Sequence, residues 1–461
     1  MSRTSPFAFV LAIAGTTACS GAETDRVQCD EGPCAAGTVT FAAEVTSLTG
    51  ARVEAVAITS EEPPWFAGTF DADARIAAVP LFWDEVGYLD PFLARTGVDE
   101  LPPLVVDNSA GYPQRVVGVV PDAEDGALVL TIGPQGDTRH RFEAAWFDRG
   151  GQLVVRDTVA LLDDVGPLGG AAVATDARGW PIVAASGTNV DVDEVLQGGE
   201  GAIVMRLGQG LRQEILVWLL GVDIADVAVD DDLLVIAGTY VAQPGVPEGS
   251  APWPACPDPD PCGFVAAIAL SSGLVHWVQP LRATGGAMVH AVAAGSGQVV
   301  AMASTAGPAI DPPLGAGALP AYLITLDAVG QSGQPILLDQ TILAQAGTTI
   351  GGRDLAIADD GAVVIALGYR GDVLVGSQPV PYDRADETFA SVVAELGTDL
   401  IWQWQLFLAD QHVNVSTIAT RGDQVAFGGT YRGTLAPPNP LQIALPAPTE
   451  VDNGFVLELF R

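Results

Sequence analysis

Short apolar runs alternate with turns rich in Asp, Gly and Ser along most of the chain. Residues 263–281 (GFVAAIALSSGLVHWVQPL) show an alternating apolar run, a small-residue turn and a second run that contains a Trp. Two-residue periodicity is typical of strands, and Gly and Ser are common in the turns between them. The segment therefore predicts a hairpin of two antiparallel strands.

A second hairpin pattern recurs seven times along the chain. Each copy has a short apolar strand, a turn containing Asp, Gly or Ser, and a strand rich in Val, Ile and Ala that ends on small residues. The copies are residues 52–70, 114–133, 169–188, 223–242, 288–307, 352–371 and 413–433. Self-similarity of this kind is the signature of a repeat architecture.

The hairpin at 263–281 also recurs, between the copies of the second pattern. Its counterparts are residues 141–161, 201–221, 321–340 and 388–408. Together the two hairpins predict a four-stranded unit recurring roughly every 55 to 65 residues, longer than the about 40 to 50 residues of compact propeller blades. Insertions such as residues 243–262 account for the difference.

A four-stranded sheet cannot bury both faces alone, so such units must stack, and radial stacking gives a β-propeller. The last copy is followed by a third-strand match at 454–460, while residues 38–50 precede the first copy as an outer strand without a partner. We therefore expect an all-β fold: a single β-propeller over residues 38–461, with seven four-stranded blades closed by pairing of the N- and C-terminal strands.

The N-terminus resembles a bacterial lipoprotein signal. Arg3 precedes an apolar segment at 7–15, which is too short to span a bilayer, and the small residues TTAC follow. The resemblance implies a signal peptide at 1–19 with lipidation of Cys19, an acidic tether at 20–37, and an outer membrane lipoprotein facing the periplasm or the cell surface. Ordinary signal peptidase cleavage near TTA is the alternative, which would leave Cys19 removed or free.

Five cysteines are an odd number, and assigning Cys19 to lipid leaves four. They form two local pairs, Cys29 with Cys34 and Cys256 with Cys262, which read as disulfide loops in an oxidising compartment. A pairing of Cys29 with Cys256 stays open. A metal site at CPDPDPC is less economical, because zinc-knuckle spacing and a nearby His are both missing.

The charge balance is strongly acidic, with 20 basic residues, 56 acidic residues and a formal net charge of −36. All the basic residues are Arg, so Schiff-base chemistry through Lys is excluded. Nucleic acids and anionic membrane surfaces require a cationic face. We therefore expect no nucleic-acid partner, and membrane contact only through the N-terminal lipid anchor.

Acidic residues recur in the turns of the repeated hairpin, at 121–126, 230–232 and 358–361. Repetition at equivalent turns is a turn preference of Asp more economically than a series of calcium loops. The best single calcium candidate is the loop of Asp191, Asp193 and Glu194. We expect no other cofactor.

The remaining candidates for chemistry are few. The four His residues, His140, His276, His290 and His412, have no metal-ligand spacing and no nucleophile motif beside them. If the predicted inner strands line a central channel, the polar residues at their starts are the candidates for a site. These are Asp226, His290, Arg353, Asp354 and Asn414.

At these repeats the chain resembles the β-propeller repeat lipoproteins of delta-proteobacteria and myxobacteria. More distantly it is similar to quinoprotein-type propellers, whose repeats end on a docked Trp, as in LSSGLVHW (270–277) and LGTDLIW (396–402). The chain lacks the adjacent Cys residues of the quinone enzymes. The resemblance therefore implies the fold and no quinone cofactor.

These features favour a monomeric binding or interaction scaffold at the cell envelope, with a protein or polysaccharide ligand held by loops of variable length. The long inserts at 243–262 and 305–320 support that hypothesis. The alternative is an envelope enzyme, such as a hydrolase, a lyase or a quinoprotein-like protein, that uses the central channel. The small set of polar inner-strand residues makes an enzyme the weaker hypothesis.

Overall fold

The structure is a computed structural model in which nearly every described element is a β-strand. It describes residues 38–461 except 48–49, 60–63, 72–73, 77–78, 82–88, 96–103, 106–113, 122–125, 136–138, 166–170, 194, 257–259, 315–316, 328–334, 345–346, 376–377, 381–387, 400, 409–411, 436–444 and 447–450. No helix among these residues is long and apolar enough to cross a bilayer.

The described strands pair into seven successive four-stranded antiparallel units, which confirms an all-β fold. Unit 1 is Ala51–Ala57, Trp65–Asp71, Leu89–Arg95 and Leu104–Val105. Unit 2 is Arg115–Pro121, Ala127–Gln135, Arg139–Phe147 and Leu153–Leu162. Unit 3 is Ala171–Thr175, Pro181–Val192, Val195–Leu207 and the first half of Gln213–Asp230. Unit 4 is the second half of Gln213–Asp230 with Leu233–Gly245, Cys262–Ala269 and Val275–Ala283.

Unit 5 is Ala287–Gly295, Gln298–Thr305, Leu319–Asp327 and Ile336–Ala344. Unit 6 is Thr349–Ile357, Val363–Arg370, Ala390–Leu396 and Trp402–Leu408. Unit 7 is His412–Arg421, Gln424–Arg432, Asn453–Phe460 and Thr38–Ser47. Short strands at the edges are Ala74–Ile76, Val79–Leu81, Asp164–Val165, Ala309–Asp311, Pro313–Leu314, Val373–Val375, Gln378–Val380, Thr434–Leu435 and Leu445–Pro446, and Gln209–Leu211 is a single 3₁₀ turn.

Unit 7 is built from both ends of the described chain. Thr38–Ser47 runs antiparallel to Asn453–Phe460, with Val39 opposite Leu459 and Val45 opposite Gly454. Val39, Val45 and Leu459 are fully buried, because alternate residues of each strand face the core. The strand pairing expected between the two ends is therefore present.

The core lies between the units. Seven clusters of buried apolar residues each join two successive units, and the cluster containing Val45, Val53, Phe66 and Val456 joins unit 7 to unit 1. The first strands of successive units are also in contact, and the first strand of unit 7 contacts that of unit 1.

The two Trp motifs do not occupy the same register. Trp277 lies opposite Ala267, just before a bulge in the strand pair, and its side chain is buried. Trp402 lies beyond the corresponding bulge of unit 6, opposite Leu396, and is half-buried. Trp404, opposite Glu395, takes the position of Trp277. Because of this one-residue bulge, Trp402 packs against the cluster between units 5 and 6, whereas Trp404 packs against the cluster between units 6 and 7.

Candidate functional site

The first strands of six of the seven units carry a register shift against their second strands within the described chain. The extra residues at these shifts are Glu54, Val117, Ala225, His290, Gly351 with Gly352, and Ser416. A β-bulge bends a strand locally and changes the direction of a side chain. The bulges therefore redirect side chains, some polar and some apolar, at corresponding positions in the first strands of six units.

A cavity of about 310 Å³ lies where the seven first strands come together, and residues of all seven line it. Most of the lining consists of Ala, Val and Gly. The polar lining residues are Glu54, Asp226, His290, Arg353, Asp354, Ser416 and Thr417. Four of the five inner-strand residues singled out from the sequence are thus brought to one cavity.

Asp226 and Asp354 make equivalent contacts at two junctions between units. Asp226 Oδ2 accepts a hydrogen bond from the backbone N–H of Val292 in unit 5, at 2.8 Å. Asp354 Oδ2 accepts one from Ile418 in unit 7, also at 2.8 Å. The other oxygen of each carboxyl accepts the N–H of the residue that follows it, Val227 or Leu355. Each carboxyl therefore ties a first strand to its neighbour.

The acidic turns at the ends of the same two first strands act in the same way. Asp230 Oδ2 accepts the N–H of Gly297 in unit 5 at 2.9 Å, and Asp359 Oδ2 accepts that of Gly422 in unit 7 at 3.0 Å. These turn residues therefore hold neighbouring units together.

Burial strongly raises the pKa of both Asp226 and Asp354, and the charge of Asp226 raises that of Asp354 further. The hydrogen bonds from Val292 and Ile418 oppose the shift, because they favour the charged form, but they are the smaller effects. The two carboxyls therefore retain protons at a pH where an exposed Asp is ionised.

Glu54 is the third carboxyl of the cavity and links unit 1 to unit 2. Its Oε2 accepts the backbone N–H of Val116 at 3.0 Å, and its Oε1 lies 3.6 Å from Arg52 Nε. Burial raises the pKa of Glu54, and the charge of Arg52 opposes this.

His290 and Arg353 lie beside each other in the cavity. His290 Nε2 is hydrogen-bonded to Ser304 Oγ at 2.7 Å. Burial, helped by the charge of Arg353, lowers the pKa of His290 to about 3, so its imidazole is neutral at physiological pH. Burial lowers the pKa of Arg353 to about 10. Arg353 Nη1 is 3.4 Å from the carbonyl oxygen of Pro320.

A larger basin of about 740 Å³ lies at the starts of the first strands of units 1, 2 and 7, and it shares Glu54 and Ser416 with the cavity. Its polar lining is Arg52, Glu54, Thr69, Arg115, His412, Asn414, Ser416, Thr430, Arg432 and Asp452. The basin is therefore polar and adjoins the cavity at Glu54 and Ser416.

His412, Arg432 and Asp452 form a network on one side of the basin. Arg432 Nε and Nη2 donate to the two oxygens of Asp452 at 2.6 and 3.2 Å. His412 Nδ1 accepts the N–H of Phe389 at 3.2 Å, which places the proton of a neutral ring on Nε2, 3.8 Å from Asp452 Oδ1. Ser416 Oγ donates to the carbonyl oxygen of Val53 at 3.1 Å. Ser416 is therefore paired with a carbonyl oxygen, and none of these contacts places a base beside its hydroxyl.

Asn414, the fifth residue singled out from the sequence, lies in the basin. Its Oδ1 accepts the N–H of Gly352 at 2.6 Å. A Cβ at Gly368 would stand 1.9 Å from that oxygen, so the amide fits because this position is Gly. Asn414 therefore links unit 7 to unit 6.

Sequence reasoning missed Glu54 and the basin residues Arg52, Arg115, Arg432 and Asp452. Glu54 had a signal, because aligning the repeats places it at the bulge level of His290. The basin residues come from several units and from the segment before a strand, so no local pattern groups them. His140 and His276 lie in the third strand of unit 2 and the fourth strand of unit 4 and line neither space.

The calcium candidate lies on unit 3. Asp191 Oδ2 is 3.7 Å from Arg139 Nη2, Asp193 has a positive φ of 50° in the turn, and Glu194 lies outside the described residues. Over the described parts of the chain, no three His, Cys, Asp or Glu residues cluster as metal ligands. Calcium binding at this loop stays a prediction.

Cys256 and Cys262 form a disulfide with a Cα–Cα distance of 5.9 Å. It closes the insertion that separates the second and third strands of unit 4. Cys19, Cys29 and Cys34 lie outside the described residues.

No protein-family model matches the chain, and no curated protein sequence matches it significantly. Among solved structures it is similar to a protein of unknown function from Dyadobacter fermentans, with 10% identity and a TM-score of 0.40 over 91% of this chain and 98% of that one. It is also similar to Saccharomyces cerevisiae Sqt1, with 10% identity and a TM-score of 0.39 over 87% and 86%. A third similar structure is a Synechocystis apocarotenoid oxygenase mutant, with 12% identity and a TM-score of 0.38 over 79% of this chain and 73% of that one.

Proposed function

We propose that the seven units form a closed, seven-bladed β-propeller. Three observations support this: each apolar cluster joins successive units, unit 7 contacts unit 1, and one cavity is lined by the first strands of all seven units. Propellers leave only short, protected edges, and sharing the last blade between both ends of the chain protects the closure.

We propose further that the protein is exported and held at the outer membrane by lipid on Cys19, facing the periplasm or the cell surface. The support is the short apolar segment after Arg3, the TTAC sequence and the odd number of cysteines. Mass spectrometry of the membrane-extracted protein tests this. An unmodified N-terminus beginning after residue 19 would contradict it.

Its proposed function is that of a binding scaffold whose ligand, a protein or a polysaccharide, enters the basin. The observation that carries the proposal is the basin itself, about 740 Å³ in volume and lined by Arg52, Arg115 and Arg432 in a chain with a net charge of −36. Concave sites with a few convergent polar groups are the usual form of a ligand site.

An envelope enzyme is the second candidate. It is favoured by Asp226 and Asp354, two buried carboxyls of raised pKa that face one cavity, because such groups cluster at catalytic sites. Both oxygens of each carboxyl already accept backbone N–H groups, however, which is a structural use. The contacts therefore favour the scaffold.

The test uses the purified full chain on arrays of defined oligosaccharides and peptides. We expect retention of an array member by the wild-type protein and a loss of at least tenfold with Arg52→Gln combined with Arg432→Gln. Arg178→Gln, at an exposed turn of unit 3, is the matched control. Equal retention by the basin variant would contradict the basin as the site, and turnover of an array member would favour the enzyme.

A further inference from the structure

Arg353 differs from several other arginines of the described residues in its surroundings. Arg52, Arg206, Arg432 and Arg461 each lie within 4 Å of a carboxylate. No carboxylate of the described residues lies within that distance of Arg353, whose hydrogen bond to Pro320 is long. Its guanidinium is half-buried, and the neighbouring His290 is neutral. Arg353 is therefore a partly desolvated cation without a counter-ion in a strongly acidic protein.

Arg353 also lies between two spaces. It lines the central cavity, and it lines a separate pocket of about 250 Å³ that is formed by residues of units 4, 5 and 6. The lining of this pocket includes Gly286, Ser304, Pro320 and Ile350 and contains no Asp or Glu. The nearby Asp260 carboxylate instead accepts the N–H of Gly285 at 3.1 Å. The pocket thus presents a cation and a hydroxyl, with no acidic residue in its lining.

A buried charge is costly unless it is paired, and a guanidinium fits a carboxylate with two parallel hydrogen bonds. We infer that the pocket of Arg353 and Ser304 binds a carboxylate group of the ligand. When His290 Nε2 carries its proton and donates to Ser304 Oγ, the hydroxyl hydrogen is available to the same carboxylate.

This inference deepens the proposed scaffold function and rests on it for the natural ligand. The pocket includes Met288 and Ile350, near the starts of the first strands of units 5 and 6, and the basin includes the starts of the first strands of units 1, 2 and 7. A ligand in the basin would be recognised in part by its carboxylate. Binding of a small carboxylate can be measured without knowing that ligand.

The experiment titrates sodium acetate into the full chain at pH 7 and constant ionic strength, followed by the ring signals of His290. The chain has four His residues, and His290→Gln assigns the signal. We expect a saturable shift of the His290 signals, because acetate would neutralise the adjacent positive charge. Arg353→Gln should weaken binding at least tenfold, whereas Arg178→Gln should leave it unchanged.

Arg353→Lys is the second variant, since it keeps the charge without the two-pronged geometry, and we expect weaker but saturable binding. A wild-type titration without saturation, or equal affinity in Arg353→Gln, would overturn the inference. Sulfate binding as tight as acetate would overturn its specificity for carboxylates. Saturable acetate binding alongside failure of the array experiment would contradict the scaffold and leave this pocket standing.

Discussion

The 4/5 and 6/7 junctions between units differ from the 5/6 junction. At the 4/5 and 6/7 junctions, the first strand and the turn after it supply two carboxyl groups to the next unit: Asp226 and Asp230 in one case, Asp354 and Asp359 in the other. At the 5/6 junction, Ala291 stands where Asp226 and Asp354 stand in their units. At this junction an apolar cluster joins the two units without such carboxyl groups.

The comparison distinguishes carboxyl groups that hold two units together from a junction that contains a cation without a counter-ion. We call the Asp226 and Asp230 pair, and the Asp354 and Asp359 pair, the clamps of the 4/5 and 6/7 junctions. Each clamp accepts hydrogen bonds from backbone N–H groups that burial would otherwise leave without a partner. The 5/6 junction lacks the clamp, and it is the junction that holds Arg353 and the 250 Å³ pocket.

The largest effect should come from removing the strand that completes unit 7, the unit that receives the 6/7 clamp. Deletion of residues 38–47 would expose Asn453–Phe460 as an edge strand, which invites pairing with other chains. We expect aggregation or loss of cooperative unfolding, measured by thermal melting and sedimentation. Deletion of residues 20–32 is the control, and equal melting temperatures for the two deletions would contradict the closure of the propeller.

Removing one clamp should have the next largest effect. Asp226→Ala and Asp354→Ala each leave two backbone N–H groups without their carboxylate, and we expect each to lower the free energy of unfolding by about 1 to 3 kcal/mol. Asp232→Ala, in an exposed turn, should change it by less than about 0.5 kcal/mol. Urea titration measures all three, and similar values would show that the clamps do not hold the junctions.

The pH dependence of stability should distinguish the two kinds of junction. Asp226 and Asp354 have raised pKa values when folded, so the folded state binds more protons and stability falls as pH rises from about 4 through those values. His290, with its pKa lowered to about 3, has the opposite effect, and stability falls as pH drops below about 6.5.

Asp226→Asn with Asp354→Asn should therefore flatten the alkaline limb of the stability curve, and His290→Gln the acidic limb. Denaturant titrations from pH 4 to pH 9 measure both limbs. Glu54 and Arg353 face the same cavity and are present in all these proteins. The free energy of unfolding of each variant is therefore compared with that of the wild type at each pH. An alkaline limb that persists in the double Asn variant would exclude the Asp pair as its source.

The smallest effect should be a gain in stability. Arg353→Met keeps the apolar stem and removes a partly buried cation without a counter-ion, so we expect unfolding in carboxylate-free buffer to cost about 1 kcal/mol more. Arg178→Met should change stability by less than about 0.5 kcal/mol. Melting in the absence and presence of acetate checks this, and a destabilised Arg353→Met would indicate that Arg353 contributes to the fold itself.

Much of the fold could be predicted, because the unit is a local pattern. All seven copies of the repeated hairpin correspond to first and second strands of the units, and residues 38–45 of the expected N-terminal strand pair with 454–460. The register of Trp402 could not be predicted, since one extra residue at a bulge moves a side chain to the other face. The candidate site was predicted in part, as scattered polar residues on inner strands.

The sequence by itself determined the strands, the turns and the shared last unit, since these follow from two-residue periodicity and from turn residues within a few positions. The tertiary structure decided what each polar residue does. Asp226 meets Val292 across 66 residues and Asp354 meets Ile418 across 64. Arg353, in contrast, has no carboxylate within 4 Å among the described residues, and Ala291 takes the place of these Asp residues in unit 5. Whether a buried charge is paired depends on residues far apart in the chain, and the local pattern does not contain that information.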